Sequence, residues 1–300
     1  MKKTLILVAV SMALSACSGR KAVWEGGSST PPAAAATDAA AAPAADDGAA
    51  VPGDAEWDQR TDVAKLRAAI ATWEKAAEAD PNNATLLVKL TRANYFLADG
   101  YLRGEADEKE YLKTMDKGVK WGEKALVASS PEFAAAMQGG AKFPEAIAKV
   151  GKEGVPAMYW YASSLGKWAK KKGFAVLLGQ KDNVKATMDR CLELDPTFYH
   201  GGPHRYFGAY YAIAPAFAGG DLEKSKVHFK KSLEIAPDFV GTKVLWAAEL
   251  AVKQQDEATF DALIAEIEAA KEDAIPEVMP ELRVEKQKAA ELKANRGDLF

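Results

Sequence analysis

The chain has 300 residues, with 39 Lys and Arg against 42 Asp and Glu, a formal net charge of −3 and 48% hydrophobic residues. That content supplies a sizeable core and excludes wholesale disorder, and the near-neutral balance lacks the basic face of a nucleic-acid-binding protein. Two Cys and three His leave little room for a disulfide framework or a zinc site.

The first stretch reads as an address. Lys2 and Lys3 give a basic start, and Leu5 to Leu14 form an apolar run too short to span a bilayer. Leu14-Ser15-Ala16-Cys17 then places a Cys directly after small residues, which resembles a bacterial lipobox. On that reading residues 1–16 are a lipoprotein signal peptide. The Cys17 thiol takes a diacylglycerol, and its freed amine is acylated. Ser18, in place of Asp, points to the outer membrane with the protein facing the periplasm; the inner membrane is the alternative. Cys191 then has no intramolecular disulfide partner. Residues 17–55 are rich in Ala, Pro, Gly and Ser, with Pro31, Pro32, Pro43 and Pro52 breaking any helix, and read as a lipidated Cys followed by a flexible tether.

The body, 56–300, reads as helix. Val63, Leu66, Ile70, Trp73 and Ala77 step by threes and fours along one helical face, as do Leu86, Leu90, Ala93 and Leu97. Val227, Leu233 and Ile235 follow with looser spacing, and alternating β-branched runs are absent. A signature recurs: Ala69, Trp73, Ala76 and Pro81; Val184, Met188, Cys191 and Pro196; Ser225, Phe229, Ser232 and Pro237; and, with one extra residue, Gly118, Gly122, Ala125 and Pro131. Small residues let paired helices approach and Pro stops the chain, as in the second helix of a tetratricopeptide (TPR) repeat. Segments 84–102 and 239–253 supply first helices. The expected fold is all-α, TPR-like hairpins stacked into a superhelical bundle with a concave groove. The repeats are degenerate, since the prolines are not spaced by the usual ~34 residues.

Aromatics concentrate between Val155 and Phe217. Trp160, Phe207 and Phe217 read as core. Tyr159-Trp160-Tyr161 and Tyr210-Tyr211 are adjacent in sequence, so at least one member of each group is expected to face a cavity or interface. The candidate ligand cavity comprises Tyr159, Trp160, Tyr161, His200, His204, Arg205, Tyr206, Tyr210 and Tyr211. In His200-Gly201-Gly202-Pro203-His204-Arg205 the Gly-Gly-Pro denies the two His a helical i,i+4 geometry, so no metal site is expected. Pro203 suits the first position of a helix; the stretch reads as a surface turn with solvated side chains, and the alternative is that Arg205 beside that helix start holds a carboxylate. The run Lys167, Lys170, Lys171, Lys172 reads as a helix end favoured by the dipole, with a phospholipid-facing role as the alternative. No catalytic motif appears, so no enzyme and no cofactor are expected.

Taken together, the lipobox, tether, TPR-like pairs and aromatic middle resemble the T-component (TatT) family of TRAP transporters, the tripartite ATP-independent periplasmic systems. The carrying residues run from Phe198 through the Gly-Gly-Pro turn to Gly208, then Gly219-Gly220-Asp221, the helix ending Ser232 to Pro237, Ala247 to Val252, and Phe260 to Leu263. The resemblance covers roughly 60–270 and leaves out the tether and the extension Lys286–Arg296. It implies a homo-oligomer, a trimer, a cleft or pore through each subunit, and docking to a periplasmic solute-binding protein. A hydrophobic or carboxylate ligand would pass towards a permease. An outer-membrane anchor would put the protein across the periplasm from that permease. A generic TPR scaffold lipoprotein for envelope assembly is the alternative function.

Overall fold

A computed structural model of the chain describes residues 20–25 and 51–300; Cys17, the signal peptide and most of the tether lie outside the described residues. No strand occurs among the described residues. The helices are α1 Asp54–Asp58, α2 Val63–Ala79, α3 Ala84–Phe96, α4 Glu108–Ser129, α5 Pro131–Gln138, α6 Phe143–Ile147, α7 Val155–Lys172 and α8 Phe174–Leu194. Then come α9 Phe198–Ile213, α10 Leu222–Ile235, α11 Val240–Leu245, α12 Val252–Gln254, α13 Glu257–Ala269, α14 Met279–Ala294 and α15 Arg296–Leu299. The fold is an all-α helical bundle.

Local chemistry sets the helix ends. Asp62, Asn83, Ser130, Asp221 and Asp256 cap their helices by accepting from first-turn backbone N–H groups. Each such cap is worth ~1 kcal/mol. The four signature helices, α2, α4, α8 and α10, all stop just before the signature proline. Every signature residue within them is buried except Ala76, which is half-buried. The small ones work as spacers: a Cβ on Gly122 would lie 2.9 Å from Tyr161 Cβ, so α4 and α7 touch through a glycine.

Two of the first helices are interrupted. α3 continues into a π turn, Leu97–Tyr101, and α11 into another, Trp246–Ala251. A π turn admits one extra residue per turn and shifts the side chains that follow, a device common near functional sites.

α7 lies at the centre, packed by α3, α4, α8 and α9. Tyr159, Trp160 and Tyr161 are therefore all buried in one apolar cluster. Within that cluster Tyr159 and Trp160 also border the cavities described below, and Tyr161 packs against Phe143. A second apolar cluster gathers Phe229, Phe239, Leu250, Phe260, Ile267 and Leu282. Two sequence expectations are corrected. Phe217, read as core, is 81% exposed in a 3₁₀ turn, because Pro215 turns the chain away from α9. Val227 and Ile235 are also exposed, and α10 instead buries Ser225, Phe229 and Ser232.

Candidate functional site

Two cavities adjoin beside α7. The first, about 300 Å³, is apolar: Tyr159, Ala162, Ser163 and Gly166 of α7 face Leu177 and Val184 of α8 and Tyr206, Ala209, Tyr210 and Ile213 of α9. Phe174 and Leu178 also line it and are 58% and 42% exposed, so they form its rim. The exposed Phe217 sits between the lining residues Pro215 and Ala218.

The second cavity, about 390 Å³, is polar. It is lined by Arg92, Tyr95 and Asp99 on the α3 side, Trp160 and Lys167 of α7, Tyr199, and Glu281, Glu285 and Lys288 of α14. Tyr95, Tyr159, Lys167, Arg205, Leu245 and Glu249 border both cavities, which makes them the shared wall.

The π turns place one acid in the polar cavity and one on the shared wall. Asp99, from the first, receives Lys167 and Lys288 Nζ at 2.7 Å each. Burial by itself would raise its pKa; the two ammonium groups overcome that and hold it well below the usual carboxylate range. Glu249, from the second, meets Lys170 at 2.9 Å. Lys171 pairs with Glu108 at 3.2 Å, so three members of the α7 lysine run are ion-paired. Glu281 is clamped by Arg60 at 2.8 Å and Arg92 at 2.9 Å, tying α14 to α3.

The Gly-Gly-Pro turn shapes the wall from α9. Tyr199, His200 and Gly201 adopt left-handed backbone at φ 45°, 58° and 70°. For bulky residues such a conformation costs on the order of 1–3 kcal/mol each and persists only where the surroundings enforce it. Arg205 does the enforcing. It is 5% exposed, and its guanidinium donates to the carbonyls of Tyr199 and His200 at 3.1 and 3.0 Å and to Tyr159 Oη at 3.0 Å. It also lies 4.4 Å above the Phe239 ring. No carboxylate among the described residues pairs with it. Gly202 makes room: a Cβ there would sit 2.6 Å from the Tyr159 ring.

Of the sequence candidates, Tyr159, Arg205, Tyr206 and Tyr210 line the apolar cavity, and Tyr159, Trp160 and Arg205 the polar one. Tyr161, His200, His204 and Tyr211 line neither. Tyr161 turns to the opposite side of α7, against Phe143. His200 stacks on Phe239 at 5.0 Å. His204 faces His228, their Nδ1 atoms 3.0 Å apart, and Tyr211 packs on the His228 ring. Among the described residues no group of three or more His, Cys, Asp or Glu could hold a metal ion. The charged half of the site, Arg92, Asp99, Glu281 and Lys288, carried no sequence signal: isolated charges on helices look like solvated faces.

The family model described as TAtT, TRAP transporter T-component, matches residues 61–300. The match runs past the limit near 270 that the sequence suggested and takes in α14, which supplies Glu281 and Lys288. No curated protein matches the chain.

Proposed function

The chain belongs to the TRAP transporter T-component family and is thereby an accessory component of a TRAP transport system, a class that is not enzymatic; from that premise we propose that it holds a small amphipathic ligand beside α7 and docks a periplasmic solute-binding protein. The observation that carries this reading is the pair of adjoining cavities, one apolar and one polar, with Arg205 and Lys167 on their shared wall. An apolar body of the ligand fits between α7, α8 and α9. Its anionic end fits at Arg205, a buried cation whose contacts are carbonyls, a phenol and a ring face. A charged hydrogen bond there is stronger than a neutral one.

The exposed Phe174 and Leu178 at the rim, and the exposed Phe217 between the lining residues Pro215 and Ala218, supply apolar surface that a protein partner would cover. Cys17 is the lipidation site and anchors the protein to the outer membrane, facing the periplasm. The protein self-associates as a trimer, as the family resemblance implies.

Dodecanoate titration by calorimetry tests the ligand reading. Gly166 is a cavity-lining residue at which a new Cβ meets only Val184 Cγ1, at 3.7 Å. Gly166→Leu therefore fills the cavity without a clash at Cβ. We expect affinity to fall at least ~10-fold, equivalent to ~1.4 kcal/mol, with the unfolding midpoint unchanged or raised. Equal dodecanoate affinity in both proteins, or none in either, refutes the cavity as the ligand site.

A further inference from the structure

Residues 20–25 lie only three positions beyond Cys17, yet they are built into the body. Arg20 donates to Asp116 on α4 at 2.8 Å and also to Glu123, and the Val23 N–H reaches the second Glu123 oxygen at 3.1 Å. Glu123 is 0% exposed. A buried carboxylate without a counter-charge is strongly unfavourable, so the body carries a built socket for this segment. Trp24 seals it, packing edge-on to Phe133 at 5.5 Å and against Phe143 and Tyr161 at 5.7 and 6.2 Å. The sequence had assigned these residues to a tether free of the body.

Chain length then fixes geometry. Only Ser18 and Gly19 separate Cys17 from Arg20, a span of at most ~11 Å even when fully extended. A flexible coil as long as the linker from Cys17 to Val51 would instead reach roughly 30 Å. We propose that the docked strap Arg20–Glu25 holds the body directly against the phospholipid bilayer, with the α4–α6 face towards the lipid and both cavities on the far side of α7. This rests on the reading of Cys17 as the lipidated residue.

The direction follows from α7. Tyr161 meets Trp24 on the strap side. Tyr159 and Ser163, two residues away on either side, point about 160° round the helix and line the cavities. Exposed basic groups lie at the strap's anchor, Lys21 on the strap itself and Lys120, which meets Arg20's partner Asp116 at 2.7 Å; such groups suit an anionic headgroup layer. Acyl chains alone would tether the protein; the strap would orient it and turn the apolar cavity rim away from the bilayer, where a partner can reach it.

The test is neutron reflectometry of the full acylated chain on supported bilayers of phosphatidylethanolamine and phosphatidylglycerol. The expected gap between headgroups and protein is under ~11 Å. The comparison is a triple variant, Arg20→Met, Glu123→Gln and Trp24→Ala, which frees the strap without stranding a buried charge. Its unfolding midpoint confirms the fold, and its gap should widen about threefold. The mass of the N-terminal peptide reads acylation separately. An acylated wild type standing as far off as the variant overturns the orientation alone. An unmodified Cys17 and no bilayer retention overturn the lipid anchor and this proposal together.

Discussion

Asp99→Asn tests the electrostatic account of the polar cavity. The substitution keeps the shape and removes the charge. Asp99 is 6% exposed and serves two lysines at 2.7 Å each. Lys288, 16% exposed, would keep only Glu285 at 2.7 Å. Lys167, 36% exposed, would lose its ion-pair partner among the described residues. Removing one member of a buried ion pair costs ~3–5 kcal/mol. Water at Lys167 screens part of that, so the lower end applies, about 3 kcal/mol. For a body of this size each kcal/mol moves the midpoint ~2–4 °C, which gives a fall of roughly 6–12 °C by calorimetry. The pH dependence carries its own sign. The folded pKa of Asp99 lies below its ordinary value, so its contribution is complete above about pH 5 and drains as pH falls through 4 towards the folded pKa. The gap between wild type and variant should be constant from pH 8 to 5 and narrow below 4. A loss under ~1 kcal/mol, typical of an exposed pair, would refute the reasoning.

Other expectations follow from single contacts. Gly122→Ala drives a Cβ to 2.9 Å from Tyr161 Cβ and 3.0 Å from its Cα, so urea unfolding should show a loss of ~1–3 kcal/mol. Gly118→Ala meets Asn94 Cβ at 3.3 Å, and the ~1 kcal/mol helix-propensity gain should leave it near neutral; equal losses at both sites would contradict the close α4–α7 approach. Burial, then His204 and Lys231, hold the His228 pKa down at about 4. The neutral histidine pair therefore contributes fully above pH 6.5, and that contribution is lost as pH falls towards 4. The melting midpoint should drop over that window, and His228→Gln should flatten the drop; an unaltered slope would count against it. Burial, then Asp195, push the Cys191 thiol well up, so a thiol reagent at pH 8 should leave the native protein untouched and label it fully in urea.

The helical architecture was legible because the period of the buried face and the proline stops are local signals. Segments read as 84–102 and 239–253 appear as continuous helical stretches 84–101 and 240–254. The site was only half legible. Tyr159 and Tyr210 stood out in groups of adjacent aromatics, and Arg205 and Tyr206 beside a Gly-Gly-Pro turn. Asp99, Glu281 and Lys288 did not, because their role comes from tertiary pairing across distant helices and from π turns that periodicity does not register. The Gly-Gly-Pro stretch, which reads in sequence as a solvated surface turn, is buried, because Arg205 turns inward and donates to Tyr199, His200 and Tyr159. Arg20 and Trp24 were lost in a low-complexity background, although an Arg and a Trp amid Ala, Gly and Ser were the available clue.

The most direct test of the account is in-cell crosslinking of the tagged, full-length protein in its own envelope, with mass spectrometry of what it captures. The account predicts crosslinks from the rim near Phe174, Leu178 and Phe217 to a periplasmic solute-binding protein, lost in a Phe174→Asp, Phe217→Asp variant that still folds. Crosslinks confined to outer-membrane assembly proteins, with no solute-binding protein recovered, would contradict it.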